Sequence, residues 1–392
     1  MRRRDLLTQQ FVLVIVTAFG TLLAVGMLLP TLPRFAHDEL GAGSFVVGIV
    51  AGAASVVAVL VQPLAGRFGD ARGRRPLLVG GPALVAAAAV GYDVADSVGL
   101  LVPFRLVSGV GEAFFFVGGA IVVNDLAPDA RRGEALSYFT LGLYLGLAAG
   151  PPLGDALREA AGYDTVWLAA AAAAVLATIA GAAVGETRPE TVRAPRQPLV
   201  HRAALLPGLV LVAAMLGFGG FNAFAALYAV ELGLSGGGAV FATFAIVVVA
   251  VRLVGARIPD RVGAERTAAL ALVGLAAALA MMGLWATTLG LFAGTVVFAA
   301  GQSLAFPALM TIAVRRAPVA VRGAVVGTLA AFVDLALGAG AIALGAVAAV
   351  TGYRGVFLVA GATAASALVA LARLRPERDA PVSPAEAAGT PH

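Results

Sequence analysis

The sequence predicts an all-α polytopic membrane protein of twelve transmembrane helices in two pseudo-symmetric six-helix bundles, and three observations carry that prediction. The 392 residues are 60% hydrophobic and 12% charged, more apolar surface than one soluble core can hide. Apolar runs of about twenty residues, the length a helix needs to cross a ~30 Å hydrocarbon layer, recur along nearly the whole chain. A constant offset of 190 residues aligns separate landmarks of the first half with the second.

The runs lie near residues 11–33, 45–66, 77–95, 98–123, 134–155, 165–184, 204–230, 238–258, 267–287, 289–313, 324–350 and 354–373. None alternates with period two and each is about twice the length of a barrel strand, so they read as helices. The first run follows Met1 and three arginines, as a signal peptide with a twin-arginine pair would. It is too long for a signal core and lacks a small-residue cleavage site, so it reads as a span. Run four carries Arg105 and Glu112, run eight Arg252 and run eleven Asp334. Runs three, six, nine and twelve have no charge near their centres. Residues 186–203, rich in Pro and Arg, read as a linker between bundles 1–185 and 204–374, and 375–392 as a disordered tail.

All 27 basic residues are arginine. With the amino terminus inside, 22 fall in the tails and the connections on that side, three (Arg34, Arg158, Arg354) in outer loops, and two (Arg105, Arg252) within spans. Cytoplasmic loops hold the basic excess, so both termini are expected in the cytoplasm of a prokaryotic plasma (inner) membrane. This bias accounts for the basic balance without nucleic acid, which would need the arginines gathered on one soluble face. Cysteine is absent, so thiol and disulfide chemistry is excluded.

The 190-residue register is unusually steady. Ala65 to Gly73 faces Gly255 to Gly263, matching Arg67 with Arg257, Asp70 with Asp260 and Gly73 with Gly263. Ala127 to Gly133 faces Ala317 to Gly323 with five identities in seven, and Gly162-Tyr163 matches Gly352-Tyr353. A duplicated six-helix unit is implied, the plan of transporters that rock two bundles about a central site.

Gly66-Arg-Phe-Gly-Asp-Ala-Arg-Gly-Arg-Arg-Pro76, between runs two and three, resembles the signature of the major facilitator superfamily, with a degenerate echo at Gly255 to Arg266. The resemblance implies a cytoplasmic gate latched by Asp70, Arg74, Arg75 and Asp260. Asp70 could meet a neighbouring helix's amino-terminal dipole, and the arginines acidic groups or lipid headgroups. Arg105 to Glu112 resembles a second family signature, whose arginine is associated with proton coupling. The two side chains share a helix face two turns apart, where charge is expensive, and should face a cavity. Gly146 to Asp155 resembles the signature that separates exporters from importers. Its Gly146, Gly150 and Pro151 are expected to serve close packing and gating, while Asp155 stands where the family has a glycine. The family plan also puts runs three, six, nine and twelve against lipid.

These resemblances imply a secondary active transporter of the drug:proton antiporter type, exporting small amphipathic organic compounds by alternating access and acting as a monomer. The alternative is a proton-linked importer or uniporter of a small organic solute. Glu112, Arg105 and Asp334 are the proton-coupling candidates. The offset pairs Asp334 with Tyr144 and Glu112 with Gln302, so the halves are polar at equivalent points but ionisable at different ones. Phe115, Phe116 (beside Phe114), Tyr144, Phe221, Asn222, Phe224, Gln302 and Phe306 are the candidate substrate lining. One proton moving down ~150 mV supplies about 3.5 kcal/mol, enough for a roughly 300-fold gradient of a neutral solute. No cofactor is expected: a phosphate-cradling loop needs a lysine, which the chain lacks, and no metal-ligand spacing occurs around His37, His201 or His392. Gly233-Leu-Ser-Gly-Gly237 matches a hydrolase nucleophile pattern, but in an outer turn rather than between strand and helix.

Overall fold

The computed structural model describes residues 8–128, 131–188, 205–255, 262–316 and 322–372, all helices and short turns. The helices are α1 (Gln9–Asp38), α2 (Ser44–Arg72), α3 (Arg75–Asp93), α4 (Val98–Leu126), α5 (Arg132–Ala161), α6 (Tyr163–Ala182), α7 (Leu205–Glu231), α8 (Gly238–Gly255), α9 (Ala264–Leu284) and α10 (Thr288–Arg316). A last rod, Arg322–Ala372, breaks at Gly352 (φ 70°, ψ −176°) into α11 (322–351) and α12 (353–372). Among the described residues nine rods, this one included, are long and apolar enough to cross a membrane. The apolar part of α8, Gly238–Arg252, is shorter, and glycine, proline and Asp155 dilute α5. Below, the side at which α1 begins is the near face and the opposite side the far face.

The duplication is written into the backbone. Gly162 and Gly352, equivalent by the 190-residue offset, both turn the chain between helices with positive φ (85° and 70°), and so do Gly73 and Gly263 (103° and 92°). Side chains avoid that region and glycine does not, so these landmarks survive where the surrounding residues diverged.

Small residues set the helix spacing. A Cβ on Gly150 of α5 would lie 2.6 Å from the Gly26 backbone of α1, and one on Gly154 2.6 Å from the Met27 carbonyl. Gly340, the counterpart of Gly150, lies the same way against Leu216 of α7. Large exposed apolar side chains, among them Leu168, Leu176 and Ile179 on α6, Leu270 and Val273 on α9, and Val369 on α12, suit a lipid-facing outer layer.

The helices overrun the expected spans. Arg34 and Arg158, read as loop residues, lie in the last turns of α1 and α5, where Arg34 pairs with Asp38 and Arg158 with Asp155 along their own helices.

Candidate functional site

The in-span charges each take a different partner, and two of them, Asp334 and Arg252, reach across to the other half. Arg105 of α4 is buried and turns to α2, donating from Nε to the Val50 carbonyl (3.0 Å) and from an Nη to that of Ala51 (3.3 Å). Those carbonyls are available because each belongs to a helix backbone with a second lone pair free. The shared face expected for Arg105 and Glu112 does not make them an ion pair. Glu112, half-buried two turns on, accepts from Ser108 Oγ one turn back on its own helix (3.0 Å).

Asp334 of α11 bridges the halves. It accepts a 2.6 Å hydrogen bond from Nε2 of Gln62 on α2. On the opposite flank Arg252 of α8 lies over the ring of Tyr144 on α5, 3.7 Å from its centroid, again between halves. Sequence reasoning missed Gln62. The signal was available, since the offset that pairs Tyr144 with Asp334 also carries Gln62 onto Arg252.

The candidate lining separates into two sets. Phe115, Phe221 and Phe224 are core residues here: Phe115 packs on Phe139 and the Gly81 backbone, Phe221 among Phe241, Phe244 and Phe298, and Phe224 on Tyr353. Gly81 and Gly119 let the helices close over Phe115, other rings cover Phe221 and Phe224, and none of the three leaves surface for a solute. Phe116 is exposed and Phe306 half-buried, while Phe114 stacks on Phe68. Asn222 bonds its own helix at the Phe218 carbonyl. Gln302 is buried, with Nε2 3.6 Å from Met215 Sδ and no partner for Oε1.

At the far face the halves are latched by a cluster built on the departure from the family pattern. Gly154, one turn beyond Gly150, keeps the close packing on α1. Asp155 points the other way, 3% exposed, and accepts a short hydrogen bond from the Gly238 backbone N–H at the start of α8. A helix start carries unpaired N–H groups and a partial positive charge, so a carboxylate is the natural cap. Arg158 Nε (2.9 Å) and Arg34 (3.7 Å) hold the other carboxylate oxygen, and Arg34 also donates to the Ser235 carbonyl at 3.1 Å. Gly48 and Gly52 of α2 meet Ala341 and Gly338 of α11 nearby. The hydrolase pattern dissolves in this turn. The Ser235 carbonyl is taken by Arg34, His37 Nδ1 lies 3.2 Å from the Ala42 carbonyl, and no Ser–His bond occurs among the described residues.

At the near face the signature ties together the ends of α2, α4 and α6. Arg74 meets Asp70 and Asp125 (both 3.3 Å) and donates to the Gly69 carbonyl, while Arg75 donates to that of Ala182. Asp70 is largely exposed and pairs with Arg74 rather than capping a neighbouring helix. Glu186 takes that part instead, accepting from the backbone N–H groups of Arg74 and Arg75 at the start of α3. Burial raises the Glu186 pKa, but backbone N–H donors from Arg74, Arg188, Arg75 and Thr187 outweigh it and leave the carboxyl below its ordinary value. Asp260 lies outside the described residues.

The comparisons agree with this architecture. The Major Facilitator Superfamily sequence pattern matches residues 14–290 and 208–391. An uncharacterized MFS-type transporter of Salmonella typhimurium is 31% identical over 88% of this chain and 91% of its own. Another, of Escherichia coli, is 28% identical over 94% and 93%. Among solved structures, the human organic anion transporter MFSD10 superposes with a TM-score of 0.68 (21% identity, 93% of this chain and 99% of that one). A POT family transporter in complex with 5-aminolevulinic acid gives 0.80 (12%, 94% and 96%). At those identities the likeness is one of fold, and such different cargoes on one fold leave cargo to the site. The chain belongs to the Major Facilitator Superfamily: it is an integral membrane secondary transporter of small molecules, not an enzyme.

Proposed function

We propose that the chain exports small amphipathic organic compounds in exchange for protons, with Asp334 and Glu112 as the proton-carrying groups. The observation that carries this reading is the Gln62–Asp334 bond, a carboxylate of one half held by an amide of the other inside the membrane. A hydrogen bond to an ionised acceptor is about twice as strong as one to a neutral acceptor, so protonating Asp334 loosens a tie between the halves. Glu112, held by a serine hydroxyl and not by a cation, is free to exchange its proton. Arg105 acts through position, fixing α4 on α2.

The bundles 1–185 and 204–374 are the moving bodies, joined by 186–203. The arginine bias puts the near face in the cytoplasm of an inner membrane, so the Asp155 cluster is the outer gate and this conformation is shut to the outside. Asp70, Arg74 and Arg75 serve the inner gate. Export rather than import is supported by the α5 signature, whose Gly146, Gly150 and Pro151 hold α5 against α1. The exposed Phe116 and the half-buried Phe306 are the aromatic residues available to cargo, and a monomer suffices.

The test is uphill accumulation of a fluorescent amphipathic dye in energised inverted vesicles, for the parent, Glu112→Gln and Asp334→Asn. Accumulation should collapse with a protonophore and in Asp334→Asn, while downhill dye movement persists. Uphill transport that survives in both variants, or that ignores the protonophore, refutes the reading.

A further inference from the structure

Two contacts between the halves occupy the same pair of positions. The 190-residue offset carries Gln62 onto Arg252 and Tyr144 onto Asp334, so Gln62 with Asp334 and Arg252 with Tyr144 are related by the pseudo-twofold axis. The first pair is closed, an amide donating to a carboxylate. The second is not. Arg252 has an aromatic ring on one face, and its Nε is sealed from solvent without an acceptor. Its Nη groups make no hydrogen bond or ion pair to any described residue, and no carboxylate of the described residues lies within 4.0 Å. The other in-span arginine, Arg105, has both carbonyls it needs.

A guanidinium in a membrane span normally finds an anion, backbone carbonyls or water, because an uncompensated charge there is costly. Stacking on Tyr144 relieves part of that cost and fixes the plane of the fork. What remains is the outer edge of the guanidinium, the edge that binds a carboxylate with two parallel hydrogen bonds. Val249 on α8 and Leu141 on α5, each one turn away, add exposed apolar surface beside it.

We infer that Arg252 and Tyr144 form an anion-binding subsite and that the cargo is an amphipathic organic anion, its carboxylate on Arg252 and its apolar body against Tyr144. This rests on the reading of the chain as a carrier of small amphipathic compounds and names their charge. The cargo completes across Arg252 and Tyr144 the bridge that Asp334 and Gln62 complete unaided, so both flanks of the interface then hold an acid.

Equilibrium binding to the purified protein in nanodiscs, without any gradient, tests the assignment apart from proton coupling. The probes are 1-naphthoate and its neutral isostere 1-naphthamide. The parent should bind the acid at least about tenfold more tightly than the amide. Arg252→Gln should remove that preference, weakening the acid by at least about tenfold and the amide far less, and Arg252→Lys should restore part of it. A parent that binds neither probe, that favours the amide, or whose preference survives Arg252→Gln overturns the inference. Loss of proton-driven transport with the preference intact would instead strike the proton-coupling reading alone.

Discussion

Replacing Asp155 should open the far face, and the structure sets the scale. Of the contacts Asp155 makes, those to Arg34 and Arg158 lie within its own half and survive any rigid rocking. The bond from the Gly238 N–H to Asp155 joins the halves. A hydrogen bond to a charged group contributes about 1.5–3 kcal/mol and a neutral one about 0.5–1.5. Asp155→Asn, near-isosteric and uncharged, should therefore weaken the closed state by about 1–1.5 kcal/mol. Asp155→Ala removes the bond altogether, about 1.5–3 kcal/mol. At 1.4 kcal/mol per factor of ten, the open population rises roughly 5- to 12-fold in the first and roughly 12- to 140-fold in the second. The cysteine-free sequence allows a clean reporter. Ser44→Cys, at the far end of α2 where its backbone meets Gly345 of α11, should react with a membrane-impermeant maleimide in proportion to far-face opening. A graded rise in labelling, Ala above Asn above parent, is expected. Equal rates in all three, at equal yield and monodispersity, would refute the latch.

Gly150→Val would push a side chain into the α1 backbone at 2.6 Å, against ordinary contacts near 3.4 Å or more, so the helices must part by about 1 Å. Thermal unfolding in detergent should show a loss of about 1–3 kcal/mol or failure to express, whereas Gly99→Ala, with nothing near its Cβ, should be neutral. Gly73→Ala meets both a positive φ and the Glu186 carboxylate and should cost about 1–2 kcal/mol by the same measurement. Glu186→Gln tests the cap on α3. Because the folded pKa lies below the ordinary value of 4.5, the stabilisation is full above that value and is lost as pH falls through the folded pKa. Parent and variant should thus differ at pH 7 and converge in acid, and a constant difference would show that the charge contributes nothing.

Much of the molecule was legible along the chain. Run length gave the spans, the 190-residue register gave the duplication, and the cost of charge in lipid singled out Arg105, Glu112, Arg252 and Asp334. These are one-dimensional properties, and each span's identity depends only on its own residues. What the chain hid was which way each side chain faces. Arg105 and Glu112 share a helix face yet do not pair, because α2 offers Arg105 two carbonyls first. Phe221 and Phe224, aromatic in a cavity-lining helix, turn into the core. Asp155 stands where the family has a glycine, yet Gly154 keeps the close packing on α1 and frees Asp155 for the other half.

The sequence by itself therefore determined the helices, their number and their pairing into two related halves, because hydropathy and periodicity act locally and membrane crossing requires little more. Only the tertiary structure decided the partners of the charged groups: Gln62 for Asp334, Tyr144 for Arg252, the start of α8 for Asp155. Each rests on the rotation of one helix about its axis, where a single residue step is about 100°. That rotation is set by how small residues of both halves pack, a property no single stretch of chain contains.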